Sequence, residues 1–186
     1  MPRLLPPDPE RMNEHQRRVY QAIQSGPRGR VRGPLAIWLH RPGLAEPAQA
    51  LGQYCRYDSS LPPRLSELAI LTIAALWRSE FEWWAHKPIA IEAGISSDIA
   101  EGIRSGGPIE FRQEDERIVY EFVKTLVEIR HVPEPQYRRA IEVLGQDHVV
   151  DLVGLAGYYT LISMTLNVFE VAAPDAAAPS AFGAAG

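Results

Sequence analysis

The sequence predicts an all-α protein with a single domain of about eight helices. Apolar residues recur at helical spacing along most of the chain, as with Val19 and Ile23, which lie four residues apart. No Asn-Gly or Asp-Gly dipeptide occurs, and no stretch alternates apolar and polar residues for long, so the usual signals of β-hairpins are absent. A length of 186 residues, with 46% hydrophobic and 23% charged residues, is typical of one folded domain.

Each helix is predicted from its apolar periodicity and from the residues that begin or end it. Asn13 is the predicted N-cap of the first helix, Pro62 and Pro63 suit the first turn of the third, and Gly94 ends the fourth. The predicted helices cover residues 13–25, 44–56, 62–77, 80–93, 96–105, 114–130, 134–144 and 147–171. We therefore expect an N-terminal extension over residues 1–12, a helical domain over 13–173 and a disordered tail over 174–186.

The charge and the cysteine content exclude several classes of protein. Nineteen Lys and Arg against 23 Asp and Glu give a net charge of −4, which offers no general basic field for a nucleic-acid backbone. Cys55 is the single cysteine, so the sequence has no disulfide framework, no CxxC redox pair and no cysteine-based zinc site. Prolines interrupt the N-terminus before an apolar signal segment can form. We expect a cytoplasmic protein that binds no nucleic acid.

An uncharged run over residues 152–169 reaches the lower length limit of a membrane span. Glycines, tyrosines and hydroxyl-bearing side chains interrupt the run, and its acidic flanks have the wrong sign for a cytoplasmic anchor. We therefore expect no membrane role and a helix buried in the core or in a subunit interface. Its helical stripe predicts a homo-oligomer with this helix at or next to the subunit contact, to which the arginine loop could also contribute. The stripe consists of Leu155, Tyr159, Ile162, Leu166 and Phe169.

The third predicted helix is apolar on nearly every face and yet contains one carboxylate, Glu67. A buried carboxylate either finds a partner or loses its charge, so Glu67 is a candidate functional residue. The alternative is that Glu67 points at a solvent gap near the helix N-terminus and offsets the helix dipole.

The fourth predicted helix carries a partner for Glu67 on a single stripe. Ser79, Glu82 and His86 lie at positions i, i+3 and i+7. Glu82 can hydrogen-bond His86 along the helix and orient its imidazole, as a general acid or base requires; the alternative is a structural histidine. No metal site is predicted, because zinc proteases need HExxH and di-iron bundles need two ExxH pairs, whereas this spacing is ExxxH, once.

Three arginines alternate in a glycine- and proline-bounded loop over residues 26–34. The guanidinium groups of Arg28, Arg30 and Arg32 could bind a carboxylate or a phosphate. The alternative is an ordinary surface or interface loop.

The residues around these candidates resemble the carboxymuconolactone decarboxylase family, which includes the alkylhydroperoxidase D-like proteins. The likeness covers about residues 35–106 and is carried by Leu61-Pro-Pro-Arg-Leu-Ser-Glu67, Trp77-Arg-Ser-Glu-Phe-Glu82-Trp-Trp-Ala-His86 and Ala93-Gly-Ile-Ser. It implies a helical fold that forms homo-oligomers, commonly trimers or hexamers, with a dimer as the alternative, and a site between these two helices. In the peroxidase branch of the family, a glutamate, a CxxC pair and a histidine form the redox centre.

Glu67 and His86 fall on that glutamate and that histidine, whereas Ser79 and Glu82 fall on the two cysteines. Reduction of a hydroperoxide needs a thiolate, so we expect no peroxidase activity. The pattern is instead similar to the decarboxylase branch, whose substrate is a small lactone bearing carboxylates. We thus expect a lyase without cofactor or metal that acts on a small carboxylated lactone or a related ring from aromatic-compound breakdown.

In this hypothesis His86 is the general acid, and Glu67 and Glu82 set its tautomer and charge. The residues predicted to bind the substrate are Arg64, Arg78, Ser79 and Trp83. The first alternative is a non-catalytic, oligomeric small-molecule-binding protein on the same scaffold. The second is an alkylhydroperoxidase that uses Cys55, and it ranks last because the CxxC pair is missing.

Overall fold

The all-α prediction is confirmed by a computed structural model of the chain, which describes residues 2–174 and 180–183. Over these residues the chain forms nine α-helices, a 3₁₀ turn at Pro9–Arg11 and a π-helical turn at Tyr54–Asp58, and no strand. The α-helices are α1 (Glu14–Ser25), α2 (Pro34–Trp38), α3 (Pro42–Gln53), α4 (Pro63–Leu76), α5 (Glu80–Glu92), α6 (Ser97–Ser105), α7 (Glu114–Ile129), α8 (Glu134–Leu144) and α9 (Gln146–Val168).

All eight predicted helices are present, with ends that shift by at most three residues. Asn13 caps α1 as expected, and its side chain and that of Gln16 form a reciprocal capping box. Helix α2 was not predicted, because five residues are too short to display a helical period. The signal that marks it is Pro34 at its first position.

Helix α4 lies at the centre of the fold and packs against α5, α6, α7 and α9. Every residue from 65 to 74 is buried, as expected for a helix that is apolar on nearly every face. This burial places Glu67 inside the protein, where only another side chain can serve as its partner.

A connection of three residues joins α4 to α5, and such short connections make successive helices antiparallel neighbours. Arg78 has a φ of 49°, in the left-handed region, at the point where the chain reverses. The antiparallel arrangement puts the middle of α4 beside the middle of α5. Glu67 and His86 lie at these two positions.

Helix α9 turns its predicted stripe toward the core and a different face toward the outside. Leu155, Tyr159, Ile162 and Leu166 are at most 3% exposed, so the stripe expected at a subunit contact packs inside the chain. By length and composition α9 could cross a membrane, but 61% of its apolar window is buried in the described structure, as in a core helix. Its exposed apolar residues are Val150, Val153, Leu161, Met164 and Val168.

We expect two glycines of α3 to respond oppositely to alanine. A Cβ at Gly52 would overlap the ring and hydroxyl of Tyr158, so Gly52→Ala should lower the free energy of unfolding by about 1–3 kcal/mol. A Cβ at Gly43 meets nothing within 4 Å, so Gly43→Ala should raise it by about 0.5–1 kcal/mol through helix propensity. Urea denaturation of both variants measures the difference. Equal changes would contradict this account of the α3–α9 contact.

Candidate functional site

His86 is held between two carboxylates, one on each ring nitrogen. Nδ1 lies 2.7 Å from Oε2 of Glu67 on α4, and Nε2 lies 3.3 Å from Oε2 of Glu82, one turn earlier on α5. The three side chains are at most 6% exposed. The prediction that Glu67 faces a polar partner inside the protein therefore agrees with the geometry, and the solvent-gap alternative does not.

Tyr159 of α9 closes a further side of this group. Its ring meets the His86 ring edge-on, with centroids 5.3 Å apart and an angle of 89°. Burial and the nearby charge of Glu82 raise the pKa of Tyr159 well above its usual value, so its hydroxyl stays neutral. The sequence identified Tyr159 only as part of the apolar stripe of α9. Its contact with His86 was not predicted, because residue spacing does not show which helix a side chain contacts.

The two carboxylates keep the His86 imidazole charged. Burial by itself would lower the pKa of His86, but the hydrogen bonds and charges of Glu67 and Glu82 outweigh it and raise that pKa to about 9. At pH 7 the ring is an imidazolium with a proton on both nitrogens. The site is therefore a buried acid whose orientation is fixed.

A cavity of about 1020 Å³ borders this acid, which is ample for a small-molecule ligand. Glu82 and His86 line it, and Glu67 lies behind them. The aromatic part of its wall comes from Tyr57, Phe81, Trp83, Trp84 and Tyr159. The basic part comes from Arg28, Arg30, Arg32, Arg56, Lys87 and Arg104.

The residues predicted to bind the substrate do not all line the cavity. Trp83 lines the cavity as expected. Arg64 lies elsewhere, with its guanidinium bound to Asp115 at 2.6 Å and to Glu116 at 2.8 Å, and an arginine held by two acids of α7 is not free for a substrate. Sequence spacing could not reveal these acids, which lie some fifty residues further along the chain.

The other two predicted binding residues also lie outside the cavity wall. Arg78 is exposed, and its guanidinium donates to the carbonyl of Phe182. Ser79 is fully buried at the start of α5, and its hydroxyl has no hydrogen-bond partner among the described residues. Neither residue is placed to bind a substrate as predicted.

Two segments contribute arginines to the cavity wall: one whose role the sequence left open and one that the sequence did not predict. The loop before α2 brings in Arg28, Arg30 and Arg32, which favours the anion-binding interpretation of that loop over a plain surface connection. Arg56 comes from the π-helical turn. The Tyr54 hydroxyl of that turn donates a hydrogen bond to Oδ1 of Asp151 on α9, at 2.7 Å, and this bond holds the turn against α9. No sequence signal marks a π-helical turn of this kind.

A short C-terminal segment, residues 180–183, packs on the cavity wall. Glu80 accepts hydrogen bonds from the Ser180 hydroxyl and from the backbone N–H groups of Ala181 at 2.8 Å and Phe182 at 2.9 Å. The Phe182 ring meets Trp83 edge-on at 5.5 Å. Sequence composition predicted disorder over 174–186; within that tail, residues 175–179 and 184–186 lie outside the described residues.

No protein-family model and no curated protein matches this chain. Six chains of solved structures do match, among them the following two. One, with 16% identity, is an alkylhydroperoxidase AhpD core, an uncharacterized peroxidase-related protein from Ralstonia eutropha JMP134; its TM-score is 0.73 over 94% of this chain and 93% of that one. The other, with 12% identity, is an uncharacterized peroxidase-related protein from Silicibacter sp. TM1040; its TM-score is 0.73 over 98% and 94%. The chain has the alkylhydroperoxidase D fold.

Within the alkylhydroperoxidase D fold of this chain, the residues for thiol chemistry are not at the site. Cys55 is 2% exposed and does not line the cavity, and burial raises the pKa of its thiol. In the described part of the chain, no three His, Cys, Asp or Glu side chains are arranged to hold a metal ion. Of the candidate catalytic residues, His86 and Glu82 line the cavity.

We expect His86 to remain protonated well above neutral pH. Its NMR titration should have a midpoint of about 9, with the resonance assigned by its loss in His86→Gln. Because the folded-state pKa exceeds the unfolded value of about 6.5, the associated stability is complete below about pH 6.5. It is lost as the pH rises to about 9, by up to about 3 kcal/mol. A midpoint at or below the unfolded value would contradict the arrangement.

Proposed function

We propose that this protein is a cofactor-independent lyase that decarboxylates a small carboxylated lactone or a related unsaturated ring by general acid catalysis. The observation that carries the proposal is the His86 ring, fixed between the carboxylates of Glu67 and Glu82 at the edge of a cavity of small-molecule size. A positioned acid of this kind contributes about 10²–10⁴-fold to the rate of a proton-transfer step.

The reaction balances with the groups that line the cavity. The bond between the ring carbon and its carboxylate breaks, CO₂ leaves, and the electron pair is delocalised into the unsaturated carbonyl system of the ring. The proton on Nε2 of His86 is then transferred to carbon, and solvent returns one proton to the imidazole. One proton is consumed for each CO₂ released.

The unequal contacts of the imidazole support Nε2 as the donor. Its contact with Glu82 is 3.3 Å, whereas that of Nδ1 with Glu67 is 2.7 Å, so the Nε2 proton is the less firmly held of the two. Glu82 and His86 both line the cavity, and Glu67 does not. Glu67 is thus a positioning residue that fixes the ring and its charge.

The alternatives receive less support. A non-catalytic binding protein would need the same cavity but would have no use for a buried ion group, because the desolvation of its charges lowers the stability of the folded protein. An alkylhydroperoxidase would need a reactive thiolate, and the buried Cys55 does not reach the cavity.

The test is CO₂ release from a panel of carboxylated lactones. We expect His86→Gln to lower kcat by at least about 10²-fold, because the proton donor is lost. His131, which is exposed, provides the matched control, and His131→Gln should leave kcat unchanged. The wild-type kcat should fall as the pH rises through about 9, where His86 loses its proton.

Two results would overturn the proposal. Equal turnover by wild type and His86→Gln would remove His86 from the mechanism. Saturable binding of the panel without any CO₂ release would favour the binding-protein alternative.

We further propose that the protein is a cytoplasmic homo-oligomer, a trimer or hexamer with a dimer as the alternative, in contact through the outer face of α9. Val150, Val153, Leu161, Met164 and Val168 are 37–65% exposed on that face. Exposed apolar surface of this extent is typical of association sites. Leu51 and Tyr54, each 47% exposed, add apolar surface from α3 and the π-helical turn, both of which pack against α9.

Charged substitutions on the α9 face should dissociate the assembly. We expect wild type to sediment as a multiple of 20.7 kDa and the double variant Val153→Asp, Met164→Asp to shift to the monomer mass, because carboxylates would then be buried at the contact. Ile129→Asp, at a 57% exposed position on α7, is the control and should not change the mass. A wild type that is monomeric at micromolar concentration would contradict the proposal.

A further inference from the structure

The charges on the cavity wall are strongly unbalanced. Seven basic side chains and two carboxylates, Glu80 and Glu82, line the cavity. Glu80 is hydrogen-bonded to the C-terminal segment, and Glu82 contacts His86. Of the basic groups only His86 and Arg104 form ion pairs within residues 2–174 and 180–183, the latter with Glu101. The basic side chains are Arg28, Arg30, Arg32, Arg56, His86, Lys87 and Arg104.

Arg30, Arg32 and Arg56 form a cluster of like charges. Burial lowers the pKa of Arg32, the neighbouring charges of Arg30 and Arg56 lower it further, and the charge of Glu82 offsets this only in part. No carboxylate of the described residues lies within 4 Å of any of the three guanidinium groups. The three like charges repel one another, and the charges of Glu82 and Glu67 act on the cluster only from beyond ion-pair distance, so a further anion bound among the guanidinium groups would be favoured.

Aromatic rings hold two of these groups in place. The guanidinium carbon of Arg32 lies 5.4 Å from the centroid of Trp84, and that of Arg56 lies 5.3 Å from the centroid of Tyr57. Stacking of this kind restricts the plane of a guanidinium without using its N–H donors. The donors therefore remain available for two-point hydrogen bonds to the oxygens of a carboxylate or a phosphate.

His86 lines the same cavity, and in the proposed reaction the carboxylate that leaves as CO₂ lies near it. A carboxylate that leaves as CO₂ has to lose its charge during the reaction, so tight pairing with several arginines would oppose its departure. The arginine cluster is suited instead to a group that stays charged throughout.

We propose that Arg30, Arg32 and Arg56 bind a second anionic group of the ligand, which does not react, so that the cavity selects dianions over monoanions. The inference rests on the proposed function where it takes the ligand to be the substrate. It extends that function by naming the residues that determine specificity, and these differ from Arg64 and Arg78, which the sequence predicted to bind the substrate. The second group is a carboxylate or a phosphate, since both offer the same paired oxygens.

The test is calorimetric binding of unreactive probes to the full chain: phthalate and 2-phosphonobenzoate, which have two anionic groups, and benzoate, which has one. We expect each dianion to bind at least about tenfold more tightly than benzoate. A higher affinity for phthalate would identify the second group as a carboxylate, and a higher affinity for 2-phosphonobenzoate would identify it as a phosphate-like group. Benzoate binding as tightly as both dianions would overturn the proposal.

Substitution assigns the selectivity to the cluster. Arg56→Gln should weaken phthalate binding about tenfold and benzoate binding much less, and Arg30→Gln, in the exposed loop, gives a second variant with little effect on folding. Arg138→Gln on α8, whose side chain is 77% exposed, removes the same charge far from the cavity wall and should leave both affinities unchanged. An equal loss in Arg138→Gln would mean that net charge alone attracts the dianion, which would overturn the proposal.

The binding test and the turnover test fail separately. If no lactone is decarboxylated but phthalate binding still depends on Arg56, the proposed reaction is wrong and the dianion site stands. If lactones are decarboxylated but Arg30→Gln and Arg56→Gln leave the preference for dianions unchanged, the reaction stands and the assignment of the arginines is wrong.

Discussion

The hydrogen bond from Nδ1 of His86 to Glu67 is the constraint on which the rest of the site depends. It joins the two central helices, α4 and α5, at a point where both residues are at most 5% exposed. The residues around Glu67 on α4 are buried and, apart from Ser66 and Thr72, apolar, so α4 itself offers the carboxylate no charged partner. The imidazole is therefore fixed in plane and in charge by the same packing that forms the core, and Glu82 then engages the nitrogen that faces the cavity.

A buried ion group of this kind is seldom a source of stability. Desolvation of three ionisable side chains opposes folding, and removing one member typically costs about 3–5 kcal/mol because the remaining charges lose their partner. An apolar trio at these positions would hold α4 against α5 with no such penalty. The ion group, on the wall of a large cavity, is more readily explained by chemistry than by stability, although structural ion pairs perturb pKa values as well.

The sequence predicted most of the fold because its signals are local. Apolar periods, the Asn13 cap and the prolines before α4 mark helices without reference to distant residues. The Glu67, Glu82 and His86 group was also predictable, since one helix spacing and one polar residue in an apolar helix identify it. Arg64 was misplaced because its partners lie on α7, and Arg56 was missed because a π-helical turn has no sequence signature. The apolar stripe of α9 was expected to be exposed for a subunit contact, but most of it packs inside the chain. Helical periodicity identifies an apolar face and does not show which surface packs against that face.

The exchange of two residues explains how this scaffold can serve acid catalysis in place of redox chemistry. At the two positions where the resembling peroxidase branch has cysteines, this chain has Ser79, which is buried with no partner for its hydroxyl, and Glu82, which faces the histidine. A thiol next to an imidazole favours transfer of its own proton and a reactive sulfur. A carboxylate in that place has no sulfur to oxidise, and its charge raises the pKa of His86. In the proposed function the histidine of this helix pair donates a proton in place of taking part in thiol redox chemistry, and the proposed role of the cavity's arginines is to bind the anionic substrate near that proton.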